Sequence, residues 1–70
     1  MRWGVEQRLE FIEFRLFWEG SINRADIVDF FGVSVPQASK DLTLYQERAP
    51  GNVEYDTRAK RYVAAEKFVL

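Results

Sequence analysis

Apolar side chains recur at helical spacing along three successive segments of the 70-residue chain. The first segment, about residues 5–19, carries one narrow apolar stripe, which predicts an amphipathic helix. The stripe consists of Val5, Leu9, Ile12 and Leu16. Gly20 follows directly and is a typical end for such a helix, because glycine readily adopts the left-handed conformation found after helix C-termini.

A second, shorter helix is predicted over about residues 23–31. Asn23 is suited to cap its N-terminus, and Asp26 lies three residues later, near the positive end of the helix dipole. Ile22 precedes the cap and is placed to pack against the first turn as a hydrophobic staple. The predicted buried side chains of this helix are Ile27, Phe30 and Phe31, and Gly32 ends it.

The third helix is predicted over about residues 35–47. Ser34 and Gln37 have the spacing of a capping box, and Pro36 is tolerated in the first turn, where a missing N–H costs little. One face is apolar and consists of Ala38, Leu42 and Tyr45. The opposite face is slim and mostly polar, and we assign to it Pro36, Gln37, Ser39, Lys40 and Thr43.

From residue 52 onwards the period of the pattern falls to two. Val53 and Tyr55 alternate with acidic residues, and a second run rich in β-formers follows at residues 61–64, after a short polar connection. This pattern predicts a hairpin over about residues 52–64. The predicted fold class is therefore mainly α with a small β-hairpin, a winged helix-turn-helix of order α-α-α-β-β that occupies residues 1–70 as one domain.

The segment from residue 23 to residue 45 carries the functional prediction. Two helices joined by a three-residue turn form a helix-turn-helix, whose second helix enters the DNA major groove only if its outer face is slim. Gln37 can pair with adenine, and Lys40 can reach guanine or a phosphate. The candidate DNA-binding residues of this segment are Arg24, Ser34, Pro36, Gln37, Ser39, Lys40 and Thr43. The alternative is an ordinary solvated helix face, and for Arg24 a salt bridge.

The predicted hairpin tip is basic. Arg58, Lys60 and Arg61 place three cations within four residues, where the wing of a winged helix meets the DNA backbone or the minor groove. The alternative to DNA contact is that these cations are ordinary solubilising charge at a hairpin tip. For Arg61 a further alternative is that its side chain faces along the strand. The whole chain has a net charge of -1, but residues 36–70 carry six basic and five acidic side chains. This balance suits a selective binder rather than a general nucleic-acid coat protein.

The first helix has a second apolar face, opposite its core stripe. Phe11, Phe14 and Trp18 recur there at helical spacing, and Trp3 lies near the start of the helix. Either the helix is central and buried on two sides, or these four residues form a partner interface. The candidate partners are a second copy of the chain, giving a homodimer, and a further domain.

Composition excludes several classes of function. The sequence has no cysteine and no histidine, which removes thiolate metal sites, imidazole acid–base chemistry and cysteine nucleophiles. Acidic pairs such as Asp26 and Asp29 would need a pocket and further ligands for glycosidase or metal chemistry, and 70 residues without histidine offer little of either. Surface charge is the simpler explanation. We therefore predict no enzyme, no cofactor and no metal. No run of about 18 apolar residues suggests a membrane span.

The sequence also resembles a known family. GVSVPQASKDL at residues 32–42 resembles the turn and recognition helix of DeoR-type winged helices. The longer stretch over residues 2–68, including APGNVEYD and KRYVA, is similar to the N-terminal DNA-binding domain of WYL-domain transcriptional regulators, a bacterial group that includes repressors.

This resemblance implies a cytoplasmic, nucleoid-associated repressor that binds double-stranded DNA as a homodimer on inverted repeats. It also implies a C-terminal ligand-sensing domain, which is absent from this chain. The alternative function is a winged-helix module for protein–protein interaction or dimerisation without DNA contact, which a net charge of -1 permits.

Overall fold

The computed structural model describes residues 3–69, and Trp3 through its backbone only. The elements within this range are α1 (Trp3–Glu19), β1 (Ser21–Ile22), α2 (Arg24–Phe31), α3 (Val35–Arg48), β2 (Val53–Asp56) and β3 (Arg61–Ala64). The predicted fold class, three helices followed by a small hairpin, is confirmed. None of these helices is both long and apolar enough to cross a membrane.

The sheet contains a strand that the sequence pattern did not predict. β1 adds to the hairpin as an outer strand, so that the three antiparallel strands lie in the order β1-β3-β2. Two residues are too few to show a period, which is why this strand escapes sequence analysis. Ser21 pairs with Val63, and Ile22 pairs with Tyr62. Through β1 the hairpin is fixed to the turn between α1 and α2.

The N-terminus of α2 is capped as predicted, and the cap is complete. The Asn23 side chain accepts a hydrogen bond from the Asp26 backbone N–H at 3.0 Å, and the Asp26 carboxylate accepts one from the Asn23 backbone N–H at 2.9 Å. Gly32 ends the helix in the left-handed region, with φ of 70°. These two ends fix the length of α2 and the direction in which the chain enters the turn to α3.

At α3 only half of the predicted capping box forms. The Ser34 hydroxyl accepts a hydrogen bond from the Gln37 backbone N–H at 3.2 Å. The Gln37 side chain does not return to the cap, because its amide donates instead to the Asp41 carboxylate one turn further along the helix, at 3.0 Å. The prediction of a reciprocal box at Ser34 and Gln37 is therefore wrong in its second half.

One hydrophobic core joins all three helices and β1. Its buried members are Leu9, Ile12, Leu16, Ile22, Ile27, Ala38, Leu42 and Tyr45. Phe31 packs against the core, half-buried, but the prediction of a buried Phe30 is wrong, since 69% of this residue is exposed. With Ile27 already filling the space below α2, Phe30 lies flat on the Phe11 ring of α1, with centroids 4.7 Å apart.

Candidate nucleic-acid interface

Helix α3 packs against the rest of the domain on one side and is exposed on the other. Ala38, Leu42 and Tyr45 are buried against the rest of the domain. On the outer side Pro36, Lys40 and Thr43 are exposed, and Ser39 is half-exposed. Short side chains around one lysine make this face slim, which is the requirement for a helix that lies in the major groove.

The start of α2 is tied to this outer face. Arg24, the first residue of α2, lies within 3.3 Å of the Ser39 hydroxyl, with its guanidinium as donor. Arg24 is exposed, and among residues 3–69 this is the hydrogen bond that its side chain makes, which leaves other N–H groups of the guanidinium able to donate. Arg24 and Ser39, two candidates from different helices, therefore form one continuous polar surface. The salt bridge considered as the alternative for Arg24 does not form among residues 3–69.

The hairpin tip is an ordered turn that carries the basic side chains outward. The Asp56 carboxylate accepts hydrogen bonds from the backbone N–H groups of Arg58 and Ala59, at 3.0 and 3.1 Å. Lys60 completes the turn in the left-handed region, with φ of 56°. Arg58 and Lys60 are exposed, and within the described part of the chain no salt bridge engages either of them.

The wing and the start of α2 enclose a shallow cleft. Its lining residues are Asn23, Arg24, Ala25, Tyr55, Lys60 and Tyr62. Arg24 and Lys60, from opposite walls, thus place two cations at one concave surface beside the N-terminus of α2. These two cations and the positive end of the helix dipole favour a phosphate here. The backbone N–H groups of Asn23 and Asp26 are already used by the cap.

Arg61, the third predicted wing cation, lies elsewhere. Its Nε donates to the Ser21 hydroxyl at 3.1 Å, and its guanidinium lies 3.8 Å from the Asp26 carboxylate. Arg15 approaches the same carboxylate at 3.4 Å. Arg61 therefore joins β3 to the entrance of α2, and its side chain has a different role from the exposed cations of the tip, Arg58 and Lys60.

Gln37 lies at the edge of the outer face and belongs to a network that sequence analysis missed. It is half-buried and bound to Asp41, which is only 2% exposed. Arg8 of α1 donates to the other oxygen of this carboxylate at 2.5 Å. A signal for the network exists in the sequence, because Asp41 falls within the apolar stripe of α3, where a buried carboxylate requires partners.

Tyr45 anchors the core side of α3. Its hydroxyl donates to the Glu13 carboxylate at 3.0 Å and accepts from the Asn52 amide at 3.3 Å. Burial raises the pKa of Tyr45 above its ordinary value of 10.0, and the bond and charge of Glu13 raise it further, while the Asn52 bond opposes the shift. The phenol is therefore kept neutral as a structural support for the helix.

The aromatic residues predicted at a partner interface fall into two groups. Phe11 is half-buried and packs within the chain against Phe30 and Phe31. Phe14 and Trp18 are exposed, the latter by 74%. Phe17, which was not predicted, is exposed beside them and contacts Trp18 edge to face. The side chain of Trp3 lies outside the described residues.

These features define a winged helix-turn-helix domain: a capped α2, a tight turn at Gly32, an α3 exposed along one side and a basic wing beside it. The sequence matches the family of BrxR transcriptional regulator winged helix-turn-helix domains over residues 4–70, and the chain belongs to this family.

Three curated relatives show the similarity in detail. All are described as DNA-binding transcriptional repressor CapW. The chain is 61% identical to the Pseudomonas aeruginosa protein and 55% identical to that of Escherichia coli strain KTE188, over 67 residues in each case. It is 52% identical to the Stenotrophomonas maltophilia protein over 68 residues. The first two matches cover 96% of this chain and 22% of each relative, so the chain spans about a fifth of their length.

Proposed function

We propose that the chain binds double-stranded DNA in a sequence-specific manner and acts in transcriptional repression. In this proposal the outer face of α3 lies in the major groove, where Gln37, Lys40 and Thr43 meet base edges. The same face also includes Ser34, Pro36 and Ser39, which support contacts to the flanking DNA backbone. The CapW relatives are named as DNA-binding repressors, which supports both DNA as the ligand and repression as the regulatory effect.

The single observation that carries the proposal is the convergence of separate elements on one surface. The hydrogen bond from Arg24 to Ser39 joins α2 to the outer face of α3. The cleft that Arg24 shares with Lys60 then joins α2 to the wing. Arg24, Lys40, Arg58 and Lys60 are exposed cations on these elements. Contacts to phosphates from several directions fix the register in which a helix enters the groove.

The proposal is tested by measuring the affinity for a random duplex as the salt concentration varies. Three phosphate contacts per protomer, from Arg24, Arg58 and Lys60, predict a log–log slope of about -2.7, since each contributes about -0.9. Absence of binding at low salt contradicts the proposal. That result favours a winged helix that serves protein–protein interaction, for which the exposed Phe14, Phe17 and Trp18 are the supporting observation.

We further propose that the chain works as a homodimer and that the exposed aromatic side chains of α1 belong to its interface. Large apolar patches on soluble proteins mark interaction surfaces. A dimer with two-fold symmetry predicts an inverted-repeat operator. Sedimentation of the chain alone and on DNA tests this. Trp18→Ser leaves α3 and the wing untouched, so we expect it to weaken dimerisation without changing the bases that one protomer prefers.

A further inference from the structure

Asp41 links the base-facing side of α3 to α1. The carboxylate is buried and uses one oxygen for Arg8 and the other for Gln37. Arg8 itself is mostly buried, with a side chain that is 13% exposed. A buried charge is stable only when it is paired and hydrogen-bonded, and here both partners are present. The Gln37 side chain is therefore attached to a rigid group rather than free to rotate.

The chemistry of the carboxylate fixes which way the Gln37 amide faces. An ionised carboxylate only accepts hydrogen bonds, so the NH₂ group of Gln37 must face Asp41 and the amide oxygen must face away. One N–H donor and the oxygen acceptor then remain for a ligand. Adenine presents the complementary pair in the major groove, an acceptor at N7 and a donor at N6.

We propose that Asp41, held by Arg8, is a positioning residue that sets the base preference of Gln37 to adenine. Asp41 touches no DNA in this proposal and acts only through the orientation of the amide. The inference rests on the proposed function, since it requires that α3 lie in the major groove. It adds a specificity determinant in the interior of the domain.

The substitution Asp41→Asn separates this role from a merely structural one. Arg8 only donates, so the oxygen of the new amide remains with Arg8 and its NH₂ group turns to Gln37. Gln37 must then accept through its oxygen, and its two N–H groups face the ligand. Two donors match guanine, which presents acceptors at both O6 and N7. The volume of the side chain is nearly unchanged.

The experiment selects bound sequences from a randomised duplex pool with four forms of the chain: the natural sequence, Gln37→Ala, Asp41→Asn and Glu10→Gln. Gln37→Ala identifies the base position that Gln37 contacts, where preference for adenine is lost. At that position we expect Asp41→Asn to change the preferred base from adenine to guanine, by about 5- to 150-fold in relative affinity. Glu10→Gln removes the same charge from an exposed site on α1 and leaves the preference unchanged.

The outcomes distinguish this inference from the proposed function. If the natural chain selects no sequence, the proposed function fails, and the inference fails with it. If the natural chain selects a sequence but Asp41→Asn selects the same one, only the inference is overturned. If Gln37→Ala leaves every position unchanged, the inference is overturned together with the base contact proposed for Gln37, while DNA binding through the other residues stands.

A second measurement needs neither DNA nor a folded variant. In the NMR spectrum of the natural chain, the side-chain amide of Gln37 is compared with that of Gln7, which is exposed. We expect one Gln37 amide proton to be shifted downfield and protected from solvent exchange by its bond to Asp41. Equivalent signals for the two glutamines overturn the proposal, whatever the stability of Asp41→Asn.

Discussion

Removing two exposed cations of the wing perturbs DNA binding without touching the fold. Arg58 and Lys60 are exposed, and the turn that carries them is held through backbone N–H groups by Asp56. Replacing both with alanine therefore leaves the turn intact. Each phosphate contact contributes about -0.9 to the log–log dependence of affinity on salt, so the double variant changes the slope from about -2.7 to about -0.9 per protomer.

The assay is fluorescence anisotropy of a labelled duplex between low and moderate salt. Affinity falls for specific and random sequences alike, because phosphates carry no base information. The matched control is Arg48→Ala combined with Lys67→Ala, which removes the same charge from exposed positions outside the wing and the outer face of α3. Arg48 pairs with Glu6 at 2.8 Å, an exposed ion pair whose loss costs the fold little. A control that lowers the slope as much as the wing variant refutes the reasoning, because binding then depends on net charge alone.

Three further predictions concern the recognition helix and its supports. Lys40→Ala weakens specific binding by about 1–3 kcal/mol in a competition assay but leaves the thermal midpoint unchanged, because the side chain is exposed. Gly32→Ala costs about 1–2 kcal/mol in urea unfolding through backbone strain alone, since an added Cβ meets no atom within 4 Å at φ of 70°; an unchanged midpoint contradicts this. The raised pKa of Tyr45 predicts stability that is intact below pH 10 and falls as the pH rises through the folded pKa, because the unfolded chain releases this proton first. Between pH 9 and 11 we expect the free energy of unfolding to fall less steeply for Tyr45→Phe than for the natural chain. Identical pH profiles contradict the raised pKa of Tyr45.

Local signals were sufficient for most of the fold. The caps at Asn23 and Ser34 and the glycine at position 32 have short-range causes, and each occurs in the structure. The two-residue strand β1 has no period of its own and exists because β3 offers it a partner. Phe30 shows the same limit, since spacing alone does not reveal that Ile27 already fills the space beneath α2.

Part of the candidate site could also be predicted from local sequence signals, and part of it depends on contacts between distant residues. The polar outer face of α3 and the exposed tip at Arg58 and Lys60 follow from periodicity and turn chemistry. Arg61 belongs to the same basic run, but its contact with Ser21 depends on the unpredicted pairing of β1 with β3. Asp41 is visible in the sequence as a charge within an apolar stripe, yet its partner Arg8 lies 33 residues away and only the folded chain identifies it.

The most direct test of the account is an NMR titration of the isotopically labelled chain with duplex DNA. We expect the backbone amides that shift to lie along the outer face of α3, at the start of α2 around Arg24 and in the turn at residues 57–60. Shifts confined to the aromatic face of α1 around Trp18, or no shifts at low salt, contradict the claim that these three elements form one DNA-binding surface.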